Sequence, residues 1–185
     1  MRILGGEKKG LVLDTRGGKS TRPLSARVKT SLFGILSSRL PGSHFYDFFA
    51  GNGAVGIEAL SRGAAMAHFY EIDPKCLRII QENLLKCQLS DRATLHREDV
   101  LRAVRFLKSP TETPILAFLG PPYSSGLAHN TLLLLGAADP FSPHSLVVAE
   151  VRKKDYLEQK YHLYVLMREE YYGDTRLAFF ERIAL

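Results

Sequence analysis

The stretch of residues 46–63 constrains the fold of this chain more than any other. It reads YDFFAGNGAVGIEALSRG: an aromatic run, a turn with two glycines, and apolar residues at helical spacing. Gly51 and Gly53 lack a Cβ, so the turn can take positive φ and let a ligand approach the backbone closely. A strand, a glycine turn and a helix in succession are the unit from which α/β proteins build nucleotide pockets.

The acidic residue before the turn separates two kinds of nucleotide ligand. Gly51, Gly53 and Gly56 satisfy G-x-G-x-x-G, which is also the dinucleotide pattern. Asp47 would repel a pyrophosphate, whereas it would attract the ammonium and sulfonium groups of S-adenosylmethionine. The pattern therefore favours a methyl-donor site, with a dinucleotide site and a purely structural tight turn as alternatives.

Strands and helices alternate along the rest of the chain. After the first strand, 45–49, the predicted strands are residues 67–72, 93–97, 115–119 and 145–151, and the predicted helices are residues 54–62, 74–86, 101–108 and 127–135. Two last strands, 161–167 and 176–181, are expected to form a hairpin around the turn 171–175. This order predicts an α/β fold with a mostly parallel, doubly wound sheet of seven strands that ends in an antiparallel hairpin.

Acidic residues follow two of the predicted strands. Glu71 lies about twenty residues past the glycine turn, where an acid accepts hydrogen bonds from ribose hydroxyls in nucleotide pockets. Asp99, after the third strand, is expected to accept from an adenine amine while Val100 packs on the ring. Asp99 also fits the N-cap of the helix that follows, and the two roles are compatible.

The fourth strand ends at the sequence G-P-P-Y, residues 120–123. Two consecutive prolines stop the strand and stiffen the backbone. Tyr123 then presents an aromatic ring beside the carboxyl edge of the sheet, where ligands bind in α/β folds.

Basic residues are concentrated at the N-terminus. Residues 1–39 hold nine Lys and Arg against two acids, and residues 40–185 hold sixteen against seventeen, for a total of +6. This division predicts a basic appendage, 1–39, in front of a ligand-binding domain, 40–185. The appendage is expected to be a small hairpin with Lys8 and Lys9 at its tip, followed by a helix capped by Ser25. Such asymmetry favours a polyanionic partner, and a solvated basic face is the alternative.

Composition argues against several other classes of protein. At 185 residues with 45% hydrophobic content, the chain is long enough and apolar enough for one domain with a proper core. Its apolar runs are too short to span a membrane, and its first residues lack the apolar core of a signal peptide. Cys76 and Cys87 fall in one predicted helix and the six histidines are scattered, so we expect no metal site and a reduced, cytoplasmic protein.

With these features in place, the chain resembles the bacterial methyltransferases that methylate the exocyclic N2 of one guanine in small-subunit (16S) ribosomal RNA. The likeness runs nearly end to end, from R-I-x-G-G and K-G-x-x-L near the N-terminus, through T-R-P at 21–23 and L-F at 32–33, to G-P-P-Y at 120–123 and Y-G-D-T at 172–175. The block D-x-F-A-G-x-G-x-x-G-x-E-A-L-S-R-G is the most specific part. The other motifs are shared more loosely with amino-directed methyltransferases of DNA, RNA and protein.

The resemblance implies a Rossmann-like class I methyltransferase that uses S-adenosylmethionine. Residues of the glycine turn would hold the methionine part of the donor, Glu71 the ribose, and Asp99 with Val100 the adenine. The full donor-binding set implied by the resemblance is Asp47, Phe49, Gly51, Gly53, Glu71, Ile72, Asp99 and Val100.

The resemblance also implies ribosomal RNA as the partner, within an assembling small subunit, and a monomeric enzyme. Residues 120–123 would line the catalytic site for a guanine flipped out of its stack, with Pro121, Pro122 and Tyr123 around the base and Tyr123 stacked on it. Arg22 and Pro23 would help close the pocket. The implied RNA contacts are Lys8, Lys9, Arg22, Pro23 and Arg27.

Two positions depart from the family pattern. Gly120 stands where the family has Asp or Asn, whose side chain accepts a hydrogen bond from the target amine and orients it. The loss of one positioned polar group of this kind slows an enzyme by about 10²–10³-fold. Gly34 stands where the family usually has Asn after the Leu-Phe pair.

Three functional interpretations follow from these residues. The first is direct in-line methyl transfer to guanine N2, without a covalent intermediate, because neither cysteine is expected near the Pro-Pro-Tyr stretch. The second, motivated by Gly120, is a non-catalytic or weakened RNA-binding member of the fold. The third is a methyltransferase for another amine, in RNA, DNA or protein.

Overall fold

A computed structural model of the chain describes residues 1–15, 24–108 and 115–184. Its helices are α1 (Ala26–Ile35), α2 (Ala54–Ser61), α3 (Pro74–Cys87), α4 (Val100–Phe106) and α5 (Leu127–Ala138). Its strands are β1 (His44–Phe48), β2 (Met66–Tyr70), β3 (Ala93–His96), β4 (Ile115–Leu119), β5 (Leu146–Arg152), β6 (Lys160–Tyr161), β7 (Tyr164–Tyr172) and β8 (Thr175–Arg182).

The strands form one sheet in the order β3-β2-β1-β4-β5-β8-β7-β6. The first five are parallel, and β8, β7 and β6 join them in antiparallel pairs. The predicted fold class is therefore confirmed. The described sheet has one strand more than the sequence predicts, because β6 has only two residues and is too short to leave a periodic pattern.

The sheet changes direction of winding between β1 and β4, and this point fixes where a ligand can bind. Chain order runs outward from β1 through β2 to β3 on one side, and through β4 to β5 on the other. Loops that leave the carboxyl ends of β1 and β4 therefore diverge and open a crevice between them. β4 is buried along its whole length, as a central parallel strand covered on both faces must be.

The N-terminal segment shares the core of the sheet domain. Ile3 and Leu13 are buried in the same apolar cluster as Leu32 and Phe33 of α1 and Phe45 of β1. The predicted hairpin is present in reduced form, with a single β-bridge between Arg2 and Val12. Residues 1–15 and α1 thus pack directly against the strands and helices that carry the predicted donor turn.

A buried carboxylate fastens this segment to α2. Glu58 is fully buried and accepts the Leu4 backbone N–H at 2.9 Å. It pairs with Lys29 Nζ at 2.9 Å and with Arg62 Nε at 2.8 Å. Removing one partner of such a buried pair leaves an uncompensated charge, so the arrangement fixes the docking geometry of the appendage.

None of the described helices combines the length and the apolar character that a bilayer crossing requires.

Candidate active site

The turn after β1 has the backbone that the glycine pattern predicts. Gly51 and Gly53 have φ of 57° and 77°. A Cβ at Gly53 would lie 3.1 Å from the Ile80 side chain, so this glycine lets the turn pack on α3. A Cβ at Gly51 would meet no described atom within 4 Å, so its backbone faces open space. Phe49 also takes positive φ, 68°, a strain typical of functional turns when an aromatic residue carries it.

Asp47 lies beneath this turn. The residue is 1% exposed, and its carboxylate accepts the Gly56 backbone N–H of α2 at 2.9 Å. Burial raises the pKa of Asp47 to about 7, the Gly56 hydrogen bond opposes this shift, and the charge of Glu71 adds to it. The Asp47 carboxylate therefore stabilises the first turn of α2 through the Gly56 N–H, and its charge state changes near neutral pH.

Glu71 joins the turn after β1 to the turn after β2. One carboxylate oxygen accepts the Gly51 N–H at 2.8 Å, and the other accepts the Asp73 N–H at 2.9 Å. The next side chain, Ile72, is 63% exposed. A fixed carboxylate beside an exposed apolar side chain and an open glycine backbone fits a nucleoside, whose ribose needs acceptors and whose base needs an apolar surface. These residues therefore fit the adenosine part of S-adenosylmethionine.

The structure gives the residues after β3 clear roles in the fold. Asp99 caps α4, since its carboxylate accepts the Arg102 N–H at 3.1 Å. Val100 is 4% exposed and packs in the core cluster on the α4–α5 face. Asp99 is exposed at the edge of the sheet, whereas the Val100 side chain is buried in the core. The adenine contacts proposed for this pair remain predictions.

Gly120 follows β4 and lies next to the end of β1. Its N–H donates to the Phe48 carbonyl oxygen at 3.3 Å. A Cβ at position 120 would lie 2.8 Å from Cε1 of Phe118, a buried core ring. A side chain at this position would therefore require the Phe118 ring to move.

Tyr123 is held by its hydroxyl group. It donates to Glu150 Oε1 at 2.6 Å, and its oxygen lies 3.1 Å from Thr175 Oγ1. The Arg152 guanidinium lies 5.7 Å from the ring centroid. Because these partners come from β5 and β8, the ring orientation depends on three separate segments of the chain.

A cavity of about 320 Å³ opens between the Pro-Pro-Tyr loop and the loop after β5, at the lower end of the range for small-ligand sites, roughly 300–1,000 Å³. Asp155 ties the two loops together, because its carboxylate accepts the backbone N–H and the hydroxyl of Ser124 at 3.3 and 3.2 Å. The cavity is lined by Pro121, Pro122, Tyr123, Ser124, Ser125, Gly126, Ala128, His129, Glu150, Val151, Lys154, Asp155, Tyr156 and Leu157.

Three consecutive basic residues lie at the same edge of the sheet as the cavity, although the net charge of residues 40–185 does not reveal them. Arg152, Lys153 and Lys154 are all exposed, and Lys153 Nζ lies 6.0 Å from the Tyr171 ring centroid. Regional totals hid these residues, because acids elsewhere in 40–185 cancel them. The useful signal was local: an R-K-K run that directly follows the fifth predicted strand.

The appendage residues that are predicted to contact RNA lie at two different edges of the domain. Arg27 lies at the carboxyl edge, 5.9 Å from the ring centroid of Tyr172. The Lys8 backbone N–H donates to Ser61 Oγ at 3.0 Å, at the far end of α2, so Lys8 and Lys9 lie where the parallel strands begin. Arg22 and Pro23 fall outside the described residues.

Over the described parts of the chain, no group of three or more His, Cys, Asp and Glu side chains is arranged to hold a metal ion.

Comparisons with known proteins place the chain among close relatives. The family model described as Conserved hypothetical protein 95 matches residues 1–181. Ribosomal RNA small subunit methyltransferase D of Escherichia coli (strain K12) is 30% identical over 184 residues, which cover 100% of this chain and 91% of that protein. The Bacillus subtilis (strain 168) protein YlbH is 33% identical over 183 residues, 98% of this chain and 99% of that protein.

Solved structures agree with the fold. The Escherichia coli protein yhhF superposes with a TM-score of 0.87 at 27% identity and covers 100% of this chain and 99% of its own. An RNA methyltransferase from Salinibacter ruber in complex with S-adenosyl-L-homocysteine superposes with a TM-score of 0.65 at 15% identity, over 89% of this chain and 95% of its own. The second likeness shows a shared class I methyltransferase fold.

Proposed function

This chain belongs to the family described as Conserved hypothetical protein 95, a family of ribosomal RNA methyltransferases, and we propose that it transfers a methyl group from S-adenosylmethionine to the exocyclic N2 of a guanine in small-subunit ribosomal RNA. The observation that carries the proposal is the meeting of two loops at one edge of the sheet. The Gly120 N–H···O=C contact to Phe48, 3.3 Å, brings the Pro-Pro-Tyr loop beside the turn that fits the donor.

On the donor side, the chain supplies acceptors and an apolar surface. Glu71 accepts the ribose hydroxyls with the lone pairs that its backbone contacts leave available, and Ile72 packs on the adenine. Asp47 adds negative charge beneath the turn, which favours a cationic ligand over a pyrophosphate. Asp99 accepts from the adenine amine at the outer end of the site.

On the target side, the chain holds the base and the RNA backbone. A guanine inside a duplex is out of reach, so the base must leave its stack to enter the cavity beside Pro122 and Tyr123. The exposed Arg152–Lys154 run and Arg27 lie at the rim, where they neutralise phosphates on either side of the flipped base. Lys8 and Lys9 at the opposite edge suit RNA that wraps around the domain.

When bound, S-adenosylmethionine would supply an electrophilic methyl group: its S–C bond would break as the N–C bond forms, the sulfonium would become a neutral thioether, and the N2 proton would pass to solvent. The chain contributes mainly alignment and exclusion of water, which are worth several orders of magnitude when reacting atoms are held close and in line.

The test is donor binding by calorimetry together with methyl transfer to small-subunit particles that lack the modification. We expect binding, and transfer of a labelled methyl group that nucleoside mass spectrometry identifies as N2-methylguanosine. Naked 16S RNA in a parallel reaction shows whether the particle is the substrate. A methyl group found on another base or on protein would overturn the guanine assignment.

Gly120 favours a second candidate, a non-catalytic RNA-binding protein on the same fold. Donor and RNA binding without transfer, at any enzyme concentration, would support that candidate. Any turnover by the wild-type chain would eliminate it. Absence of donor binding would contradict both the donor assignments and the proposed reaction.

A further inference from the structure

Gly120 lacks the polar side chain of the family pattern, but the neighbouring strand, β5, carries a carboxylate at the adjacent position. β4 and β5 are parallel, and their last paired residues are Leu119 and Ala149. The next step along this register brings Gly120 beside Glu150. Neighbouring strands are about 4.7–4.9 Å apart, so a side chain from position 150 can reach the space in front of Gly120.

Both positions also belong to the same face of the sheet. Side chains alternate between faces along a strand. Phe118 of β4 and Val148 of β5 both pack in the cluster on the α1–α3 face, so the positions two residues further on point the same way. The Phe118 ring meanwhile fills the place where a Cβ at 120 would begin.

We propose that Glu150 recognises the Watson–Crick edge of the target guanine and orients its N2 amine, in place of the side chain that position 120 lacks. This inference rests on the proposed function. Guanine presents N1–H and N2–H side by side, and a carboxylate accepts both at once. Adenine presents an acceptor at N1, which a carboxylate repels.

The surroundings of Glu150 suit this task. Glu150 lines the cavity with Pro121 and Pro122, and the Tyr123 hydroxyl donates to its Oε1 at 2.6 Å. This hydrogen bond fixes the carboxylate plane, and an ionised carboxylate has about four lone-pair sites, so each of its oxygens can accept from more than one donor. Tyr123 is therefore a positioning residue for Glu150 as well as a wall of the cavity.

The experiment compares transfer to small-subunit particles reconstituted with guanine or with 2-aminopurine at the mapped target nucleotide. 2-Aminopurine keeps the N2 amine but carries an acceptor at N1. The proteins are wild type, Glu150→Gln, Tyr123→Phe, and Glu170→Gln as a matched control on β7 (where Glu170 pairs with Arg168).

We expect Glu150→Gln to slow transfer to guanine by about 10²–10³-fold, the cost of one lost positioned group. The glutamine amide can donate to N1 of 2-aminopurine, so the preference for guanine over 2-aminopurine should fall by at least about tenfold. Tyr123→Phe should slow both substrates and keep the preference. Glu170→Gln should match wild type.

Two results would overturn the proposal. One is an equal loss on both bases for Glu150→Gln, which would make the residue a support for Tyr123 only. The other is unchanged transfer. Glu150→Asp covers the case of misfolding, since it should retain the preference for guanine at a lower rate. Wild-type transfer and donor binding measured in the same series separate a failure of Glu150 from a failure of the proposed function itself.

Discussion

The donor side and the target side of the candidate site are built in different ways. The donor side is nearly one continuous piece of chain, residues 47–73, in which carboxylates hold backbone N–H groups. The target side combines residues 120–126, 150–157 and 172–176 with the start of α1, and there carboxylates join separate segments: Glu150 accepts from the Tyr123 hydroxyl, and Asp155 accepts from the backbone N–H and the hydroxyl of Ser124. Local geometry thus fixes the donor turn, whereas the target cavity depends on the packing of distant segments.

This difference predicts separable losses of function, the largest of them on the donor side. Glu71→Gln keeps the size of the side chain but removes its charge and one of the acceptors that now hold the Gly51 and Asp73 N–H groups. Hydrogen bonds to charged groups contribute about 1.5–3 kcal/mol each, so we expect donor affinity to fall by about 10²-fold while RNA affinity is unchanged. Calorimetry and filter binding measure the two.

The matched control is Glu82→Gln, an exposed residue on the same helix that follows Glu71. It should bind the donor as wild type does. Equal donor affinities for wild type and Glu71→Gln would show that the donor side is not organised by the link between the two turns.

The converse loss belongs to the target side. Replacing Arg152, Lys153 and Lys154 together by Gln should weaken RNA binding by about tenfold or more near physiological salt. It should also reduce the slope of log affinity against log salt by up to about 2–3, since each phosphate contact contributes about 0.7–0.9. Donor affinity should not change.

A triple variant with the same loss of charge but a different location serves as the control: Lys86, Arg105 and Lys108 to Gln, all exposed near the ends of α3 and α4. If this control lowers the RNA affinity and the salt slope as much as the first triple variant does, the effect reflects net charge alone. The loop after β5 would then not be a specific RNA-binding site.

The same difference explains how much of the molecule the sequence alone could predict. The glycine turn, the position of Glu71 after β2 and the Asp99 cap were all predictable, because glycine at positive φ, an acid after a strand and a cap before a helix are local signals, whereas the binding roles of these residues stay predictions. The alternation of strands and helices was enough for the fold class. β6 was missed because two residues carry no period.

The target side could be predicted only in part. Pro-Pro-Tyr is a local motif, but the partners of Tyr123 are 27 and 52 residues away in sequence. Gly120 and Glu150 are neighbours because of the register between β4 and β5, and the sequence alone does not give this register. The regional charge total pointed to the appendage, yet Lys29 of that segment is buried against Glu58, and the R-K-K run lies elsewhere.

Stability and donor affinity should also depend on pH through the donor side. Burial raises the pKa of Asp47 to about 7, above its unfolded value of about 4, so the folded state binds this proton more tightly. The contribution of Asp47 to the free energy of unfolding should therefore fall as pH rises from about 4 to about 7 and remain low above that. Donor affinity should change the other way, because the cationic ligand favours the ionised carboxylate.

Thermal melting and calorimetry from pH 5 to pH 8, on wild type and Asp47→Asn, measure both trends. Burial lowers the pKa of His68 to about 4, which gives a stability change of opposite sign in both proteins, so the difference between the two is the relevant quantity. A difference that does not vary with pH would mean that Asp47 stays in one charge state throughout.

The smallest expected effect concerns stability and tests why the target side takes its carboxylate from β5. Gly120→Ala places a methyl group 2.8 Å from Phe118 Cε1, and overpacking of this kind costs about 1–3 kcal/mol. Phe118→Leu removes the ring edge, so in denaturant unfolding the double variant should lose less stability than the sum of the two single variants. Additive losses would mean that position 120 has room for a side chain, and that glycine there is a simple omission. Coupled losses would mean that Phe118 and Gly120 are fitted to each other, which leaves position 150 as the place from which a carboxylate can face the target base.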